Sequence, residues 1–132
     1  LAQPADILPT LCDLAGLPPE TPEPLHGRSF APHLRGDSAA PIREVAISAG
    51  FLRGGGAIPP CETTPVVYSD EWAYVPVGAQ GDRELYHLAD DPYAECDLAS
   101  EAPGVAEQLH RRLIEELHAL GAPAEAIAPL ET

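Results

Sequence analysis

The segment RELYHLADDPYAECDLAS, Arg83–Ser100, gathers carboxylates, a histidine and a thiol within eighteen residues. Asp90, Asp91, Glu95 and Asp97 could offer hard oxygen ligands to a cation such as calcium. The calcium-loop pattern, however, alternates its ligands and adds a glycine and a distant glutamate, which this stretch lacks. An Asp-Pro step after a strand is also a turn signal, because the Asp carboxylate accepts from nearby backbone N–H groups. The spacing therefore favours a structural turn at Asp91, Pro92 and Glu95, with Glu95 bracing the loop backbone. The five histidines form no HxH or HExxH pair. His110 and His118 fall two turns apart on a helical stretch and read as surface or interface residues. His87 alternates with Tyr86 and Leu88 and faces solvent or a neighbour. Ser, His and Asp all occur, but without a GxSxG elbow. Cys12, Cys61 and Cys96 are an odd number with no CxxC spacing and read as free thiols. RGGGA, Arg53–Ala57, could cradle an anion through backbone N–H groups. The Arg53 guanidinium beside it could clamp a sulfate or phosphate with two hydrogen bonds. No catalytic set and no metal-ligand set emerges from these residue types.

Composition narrows the partners. The chain has 132 residues, seven basic groups (all Arg, no Lys), 21 acidic groups and a formal charge of -14. So acidic a surface excludes nucleic acid, whose phosphates need clustered Lys and Arg. It equally excludes an anionic membrane surface. No apolar run approaches the ~20 residues that span a bilayer. The length suits one domain with a real core. There is no Met, and Leu1 is not a natural start, so the chain is expected to be a piece of a longer protein.

The elements that must position these groups follow from periodicity. PADILPTLCDLAG predicts a helix: Ile7, Leu8, Leu11, Leu14 and Ala15 share one face, Pro4 suits the first turn, and Gly16 suits a left-handed end. Pro9 conflicts with a helix interior. LPPETPEPLHG, Leu17–Gly27, is irregular chain, and Ser29 caps a short helix that Gly36 closes. REVAISA, Arg43–Ala49, alternates as a half-buried strand. Ala49–Thr64 reads as a long Gly- and Pro-rich loop. Val66–Tyr68 and Trp72–Val77 form a hairpin, with Pro76 at a strand end, and Arg83–Leu88 is a further strand. From Ser100, an N-cap, the period turns helical: Val105, Leu109, Leu113, Leu117 and Leu120 form a stripe, and Gly121 with Pro123 stops it. The tail beyond Pro123 is expected to fray. The fold class is α+β. A small antiparallel sheet of about four strands is packed by a long C-terminal helix and preceded by an N-terminal helix. The expected organisation is a helical segment over 1–36, an α+β subdomain over 37–123 and a tail over 124–132.

Together PADILPTLCDLAGLPPE, LHGRSFAPHLRGD and ELYHLADDPYAECDLA resemble the C-terminal portion of the sulfatase family, in the alkaline phosphatase superfamily. The family patterns are D-I-x-P-T-L-x-D-L-A-G, then x-G-x-S-L-x-P-L-L-x-G, then E-L-Y-D-L-x-x-D-P-x-E-x-x-N-L-A. Asp91, Pro92, Glu95 and Leu98 match; His87 stands for the usual Asp and Asp97 for the usual Asn. The resemblance runs from Pro4 to about Leu120. It implies that the ELY run is the last strand of a small sheet and that the following turn is structural. It also implies a parent hydrolase that uses formylglycine, made within C/S-x-P-x-R, and a divalent cation, calcium or similar. None of Cys12, Cys61 and Cys96 has Pro two residues on and Arg four residues on, and the family's catalytic Lys has no counterpart. No catalytic or metal residue and no cofactor is therefore assigned to this segment. The implied partner is an N-terminal catalytic domain of the same chain. The isolated segment is expected to self-associate through Ile7, Leu8, Leu11 and Leu14. The Ala49–Thr64 loop with Arg53 is expected at the rim of the substrate pocket. A phosphonate or phosphodiester hydrolase of the same superfamily is the first alternative, and a stand-alone interaction module the second.

Overall fold

The computed structural model describes residues 1–18, 25–48, 52–53, 56–57, 64–77 and 82–131. The chain divides into two compact units, Leu1–Ala46 and Ile47–Thr132. The division falls inside the first strand, so residues 37–45, expected with the sheet, group with the first unit.

The first unit opens with a 3-10 turn, Pro4–Asp6, that runs into helix α1, Ile7–Ala15; helix α2 follows at Ala31–Arg35. Gly16 ends α1 at φ 68° and Gly36 ends α2 at φ 81°, the left-handed caps their positions predict. Leu17 N–H reaches the Cys12 carbonyl at 2.9 Å, and Asp37 N–H reaches the Pro32 carbonyl at 2.8 Å. Pro9 is the third residue of α1. The N–H it lacks would have bonded the Ala5 carbonyl, so only a first-turn bond is lost. Gly27 approaches that same carbonyl: a Cβ on Gly27 would lie 1.9 Å from the Ala5 oxygen. Within this unit α1 is inverted. Ile7, Leu8, Leu11 and Leu14 are 44–57% exposed, whereas the polar Asp6 and Thr10 are buried.

The second unit is the α+β layer. Strands β1 (Ala46–Ser48), β4 (Val66–Tyr68), β5 (Trp72–Val75) and β6 (Glu84–His87) form one four-stranded sheet in the order β1-β4-β5-β6. Strands β4 and β5, and β5 and β6, pair antiparallel. The register aligns Val67, Tyr74 and Leu85 in one row, and all three side chains are fully buried. Helix α3, Pro103–Ala119, packs across β5 and buries Ala106, Leu109 and Leu113, the inner part of its apolar stripe. Burying each such aliphatic side chain is worth about 1.5–3 kcal/mol, so this row and this stripe are the core.

Four expectations need correction. Helix α3 starts at Pro103 with Ala102 as cap and no side-chain cap bond, so Ser100 is not the cap; a proline there lacks only an N–H that would be orphaned anyway. The tail is ordered as helix α4, Ala124–Ile127, and a 3-10 turn, Ala128–Leu130. Ile127 and Leu130, three apart, share a side and are both buried. The first strand begins at Ala46 and not at Arg43, whose guanidinium is held by Asp6 and Gln3. Within the expected loop, β2 (Leu52–Arg53) and β3 (Gly56–Ala57) pair antiparallel. Most of the rest of Ala49–Thr64, including Cys61, lies outside the described residues.

Candidate functional site

The acidic stretch after β6 builds a turn whose carboxylates serve the backbone. Asp91 Oδ2 accepts from the N–H groups of Glu95 at 2.7 Å and Cys96 at 2.8 Å. Asp91 is thus the brace, and Glu95 enters through its N–H with its side chain exposed. Pro92 sits exposed inside the turn, and Ala94 adopts φ 53° to complete it. Asp97 Oδ1 accepts from Leu85 N–H and Ala99 N–H, each at 2.9 Å, while Leu98 N–H donates to the Leu85 carbonyl at 2.7 Å. Asp97 stands where the resembled pattern has asparagine, and here it accepts both bonds. Asp90 Oδ2 lies 2.7 Å from His87 Nδ1, and the His87 ring packs, tilted by 50°, with its centroid 4.5 Å from that of Trp72, its cross-strand partner. Among the described residues no group of three or more His, Cys, Asp or Glu side chains could hold a metal ion.

Among the described residues, the donor set does not fit the formylglycine and cation of the resembled family. Cys12 is in the middle of α1, and Cys96 is exposed in the turn, donating its N–H to Asp91. Asp91 Oδ2 already accepts two N–H bonds of the turn. Arg53 is placed in β2 opposite Gly56.

Two constellations escaped sequence reasoning. In the first unit, Asp6, Thr10 and Asp13, at helical spacing, hold the segment that leads into α2. Asp6 accepts from Arg28 N–H and Gln3 N–H, each at 2.7 Å, and pairs with the Arg43 guanidinium. Thr10 Oγ1 donates to the Asp6 carbonyl at 2.6 Å and accepts from Phe30 N–H at 3.1 Å. Asp13 takes the Ser29 hydroxyl at 2.8 Å and the Arg35 guanidinium at 3.1 Å. The Ser29 bond first, then Arg35, holds the Asp13 carboxyl below its ordinary value. The signal in the sequence was the polar i, i+4, i+7 face of the helix, opposite the apolar one.

In the second unit, the Tyr74 hydroxyl lies 2.9 Å from His110 Nδ1, and His110 Nε2 lies 2.8 Å from the Leu130 carbonyl. A carbonyl only accepts, so Nε2 carries the proton; in the neutral ring Nδ1 then accepts from Tyr74 O–H. Burial first and the Arg83 charge second hold His110 below its ordinary pKa, against the Leu130 bond that raises it. Burial raises the Tyr74 phenol, offset in part by Arg83. His110 is therefore a pin between sheet, helix and C-terminal turn. Beside it opens a cavity of about 470 Å³ lined by Pro76, Val77, Asp82, Arg83, His110, Pro129 and Leu130.

Solved structures that superpose on this chain include sulfatases and phosphonate monoester hydrolases of the alkaline phosphatase superfamily. A Bacteroides thetaiotaomicron VPI-5482 protein described as a sulfatase superposes with TM-score 0.63 at 27% identity, over 96% of this chain and 24% of that one. The phosphonate monoester hydrolase of Agrobacterium radiobacter gives TM-score 0.66 at 28% identity, over 87% of this chain and 24% of that one. A 2-O GAG sulfatase gives TM-score 0.63 at 27% identity, over 96% of this chain and 24% of that one. The chain thus spans about a quarter of the length of each. No protein-family model and no curated protein matches it. By fold and by motif, the chain matches the alkaline phosphatase superfamily. Within it, the matches are to sulfatases and phosphonate monoester hydrolases.

Proposed function

We propose that the chain is the C-terminal subdomain of a sulfatase-like hydrolase acting on sulfate esters. In this reading it is inactive alone and supports a larger N-terminal catalytic domain of the same protein, which carries the formylglycine and the divalent cation. One observation carries the reading: nearly the whole chain superposes on a quarter of a sulfatase at 27% identity. The Asp6–Thr10–Asp13 lock and the Asp91 turn give a structural duty to residues of the matched motifs, which supports a buttressing role. The exposed apolar face of α1 is the surface such a domain would cover. In the assembled enzyme, Arg53 stands at the substrate rim.

The test is hydrolysis of 4-nitrophenyl sulfate by the 132-residue chain and by the longer protein that contains it. Turnover is expected only from the longer protein; turnover by the chain alone would overturn the reading. In the longer protein, Arg53→Gln is expected to raise KM several-fold across sulfate esters, and unchanged kinetics would remove Arg53 from the rim. The 28% identity to a phosphonate monoester hydrolase favours a second reading, with phosphonate monoesters as substrate. Comparing kcat/KM for aryl sulfates and aryl phosphonate monoesters decides between the two.

A further inference from the structure

The cavity beside His110 is built from separate parts of the second unit: the end of β5, the approach to β6, α3 and the C-terminal turn. Its volume, about 470 Å³, lies within the ~300–1,000 Å³ of small-molecule sites. Pro76, Val77, Pro129 and Leu130 supply the apolar part of a lining that is polar over more than half of its surface, and Arg83 is its cation. Arg28, Arg35, Arg43 and Arg112 are each bound to an acceptor, whereas Arg83 has no ion-pair partner among the described residues. Its charge reaches the cavity wall, since it acts on both Tyr74 and His110. Both ring nitrogens of His110 are engaged, so that ring serves as a neutral wall and not as a ligand. A free guanidinium next to apolar surface suits an anionic head with an apolar body. Asp82 on the same rim, in a chain of charge -14, opposes a second negative charge on that head.

We infer that this cavity binds a small, singly charged oxyanion carrying a compact apolar body, of the carboxylate or sulfate-monoester type, with Arg83 holding the head. The site stands apart from the hydrolase reading, because it uses only residues of this chain and involves no bond cleavage. The probes are sodium benzoate and phenyl sulfate, titrated into the 132-residue chain while backbone amide shifts are followed by NMR. Both are expected to saturate in the millimolar range, with shifts centred on Val77, Arg83 and Leu130. Saturation by one probe alone supports the site and identifies its head group. Arg83→Gln, on an exposed residue, is expected to weaken binding at least about tenfold. Val77→Asp, which adds a negative charge to the lining, is expected to weaken it comparably. Absence of saturation, shifts centred elsewhere, or equal affinity in Arg83→Gln would overturn the site. Esterase assays of the longer protein test the hydrolase reading separately.

Discussion

Helices α1 and α3 bury opposite kinds of surface. Helix α3 buries Leu109 and Leu113 against the sheet and turns Arg111 and Glu115 to water. Helix α1 buries Asp6 and Thr10 within its own unit and leaves Ile7, Leu8, Leu11 and Leu14 exposed. An apolar core is non-directional and tolerates repacking. A polar lock fixes one geometry, and it fails when a partner is lost. The second unit is therefore built to hold itself together, and the first to present an apolar face in a defined shape.

The contrast can be broken most strongly at its two centres. Asp6→Ala removes the ion-pair partner of Arg43, leaving it only Gln3, and strands the N–H groups of Gln3 and Arg28. Breaking such a pair costs about 3–5 kcal/mol, and urea denaturation is expected to show this as loss of the first unit. Leu113→Ala removes a fully buried side chain and costs about 2–5 kcal/mol; the same titration is expected to show the second unit failing. Gly27→Ala drives a Cβ into the Ala5 carbonyl, and about 1–3 kcal/mol of overpacking is expected in the melting curve. The double variant Leu8→Ser/Leu11→Ser alters only exposed positions. It is expected to change stability by less than about 0.5 kcal/mol while shifting the isolated chain towards monomer in sedimentation. Wild type sedimenting as a clean monomer at high concentration would remove self-association from the account.

The smallest effects are those of pH. His110 is held below its ordinary value of 6.5, so the folded state favours the neutral ring. The unfolded chain then binds more protons below pH 6.5, and stability is lost as pH falls from there through the folded value. Thermal melts are expected to show this slope, and His110→Gln is expected to flatten it. Burial first, then the bond to Glu84, push the Tyr86 phenol up to about 12 from 10.0. That contribution is fully present below pH 10 and is lost towards pH 12, a trend that Tyr86→Phe should abolish.

Much of this fold is legible locally. The left-handed ends at Gly16 and Gly36, the hairpin around Ser69–Glu71 and the stripe of α3 depend on neighbours in sequence, and periodicity reads neighbours. The inward face of α1 was not legible by that rule. Periodicity finds the apolar side, which was expected to meet a partner, but it does not show that Asp6 and Thr10 are buried, because Arg28, Phe30 and Arg43 come to them from afar. Asp91 and Pro92 announced a turn; which carboxylate braces it depended on the path of residues 95–99, which spacing does not give. His110 had no partner at short range, since Tyr74 and Leu130 lie 36 and 20 residues away. The order of C-terminal residues 124–130 was hidden by Pro123 and Pro129, although Ile127 and Leu130 carried the signal.

Strand β6 is the last in its sheet, yet little of its outer rim is open. Asp97 and Leu98 occupy both polar groups of Leu85, and the Asp90 and Asp91 N–H groups bond the His87 carbonyl. A stray extended peptide finds no row of vacant donors and acceptors to zip onto there. Growth by strand addition, whether a recruited tail or a runaway fibril, finds little to start from along β6.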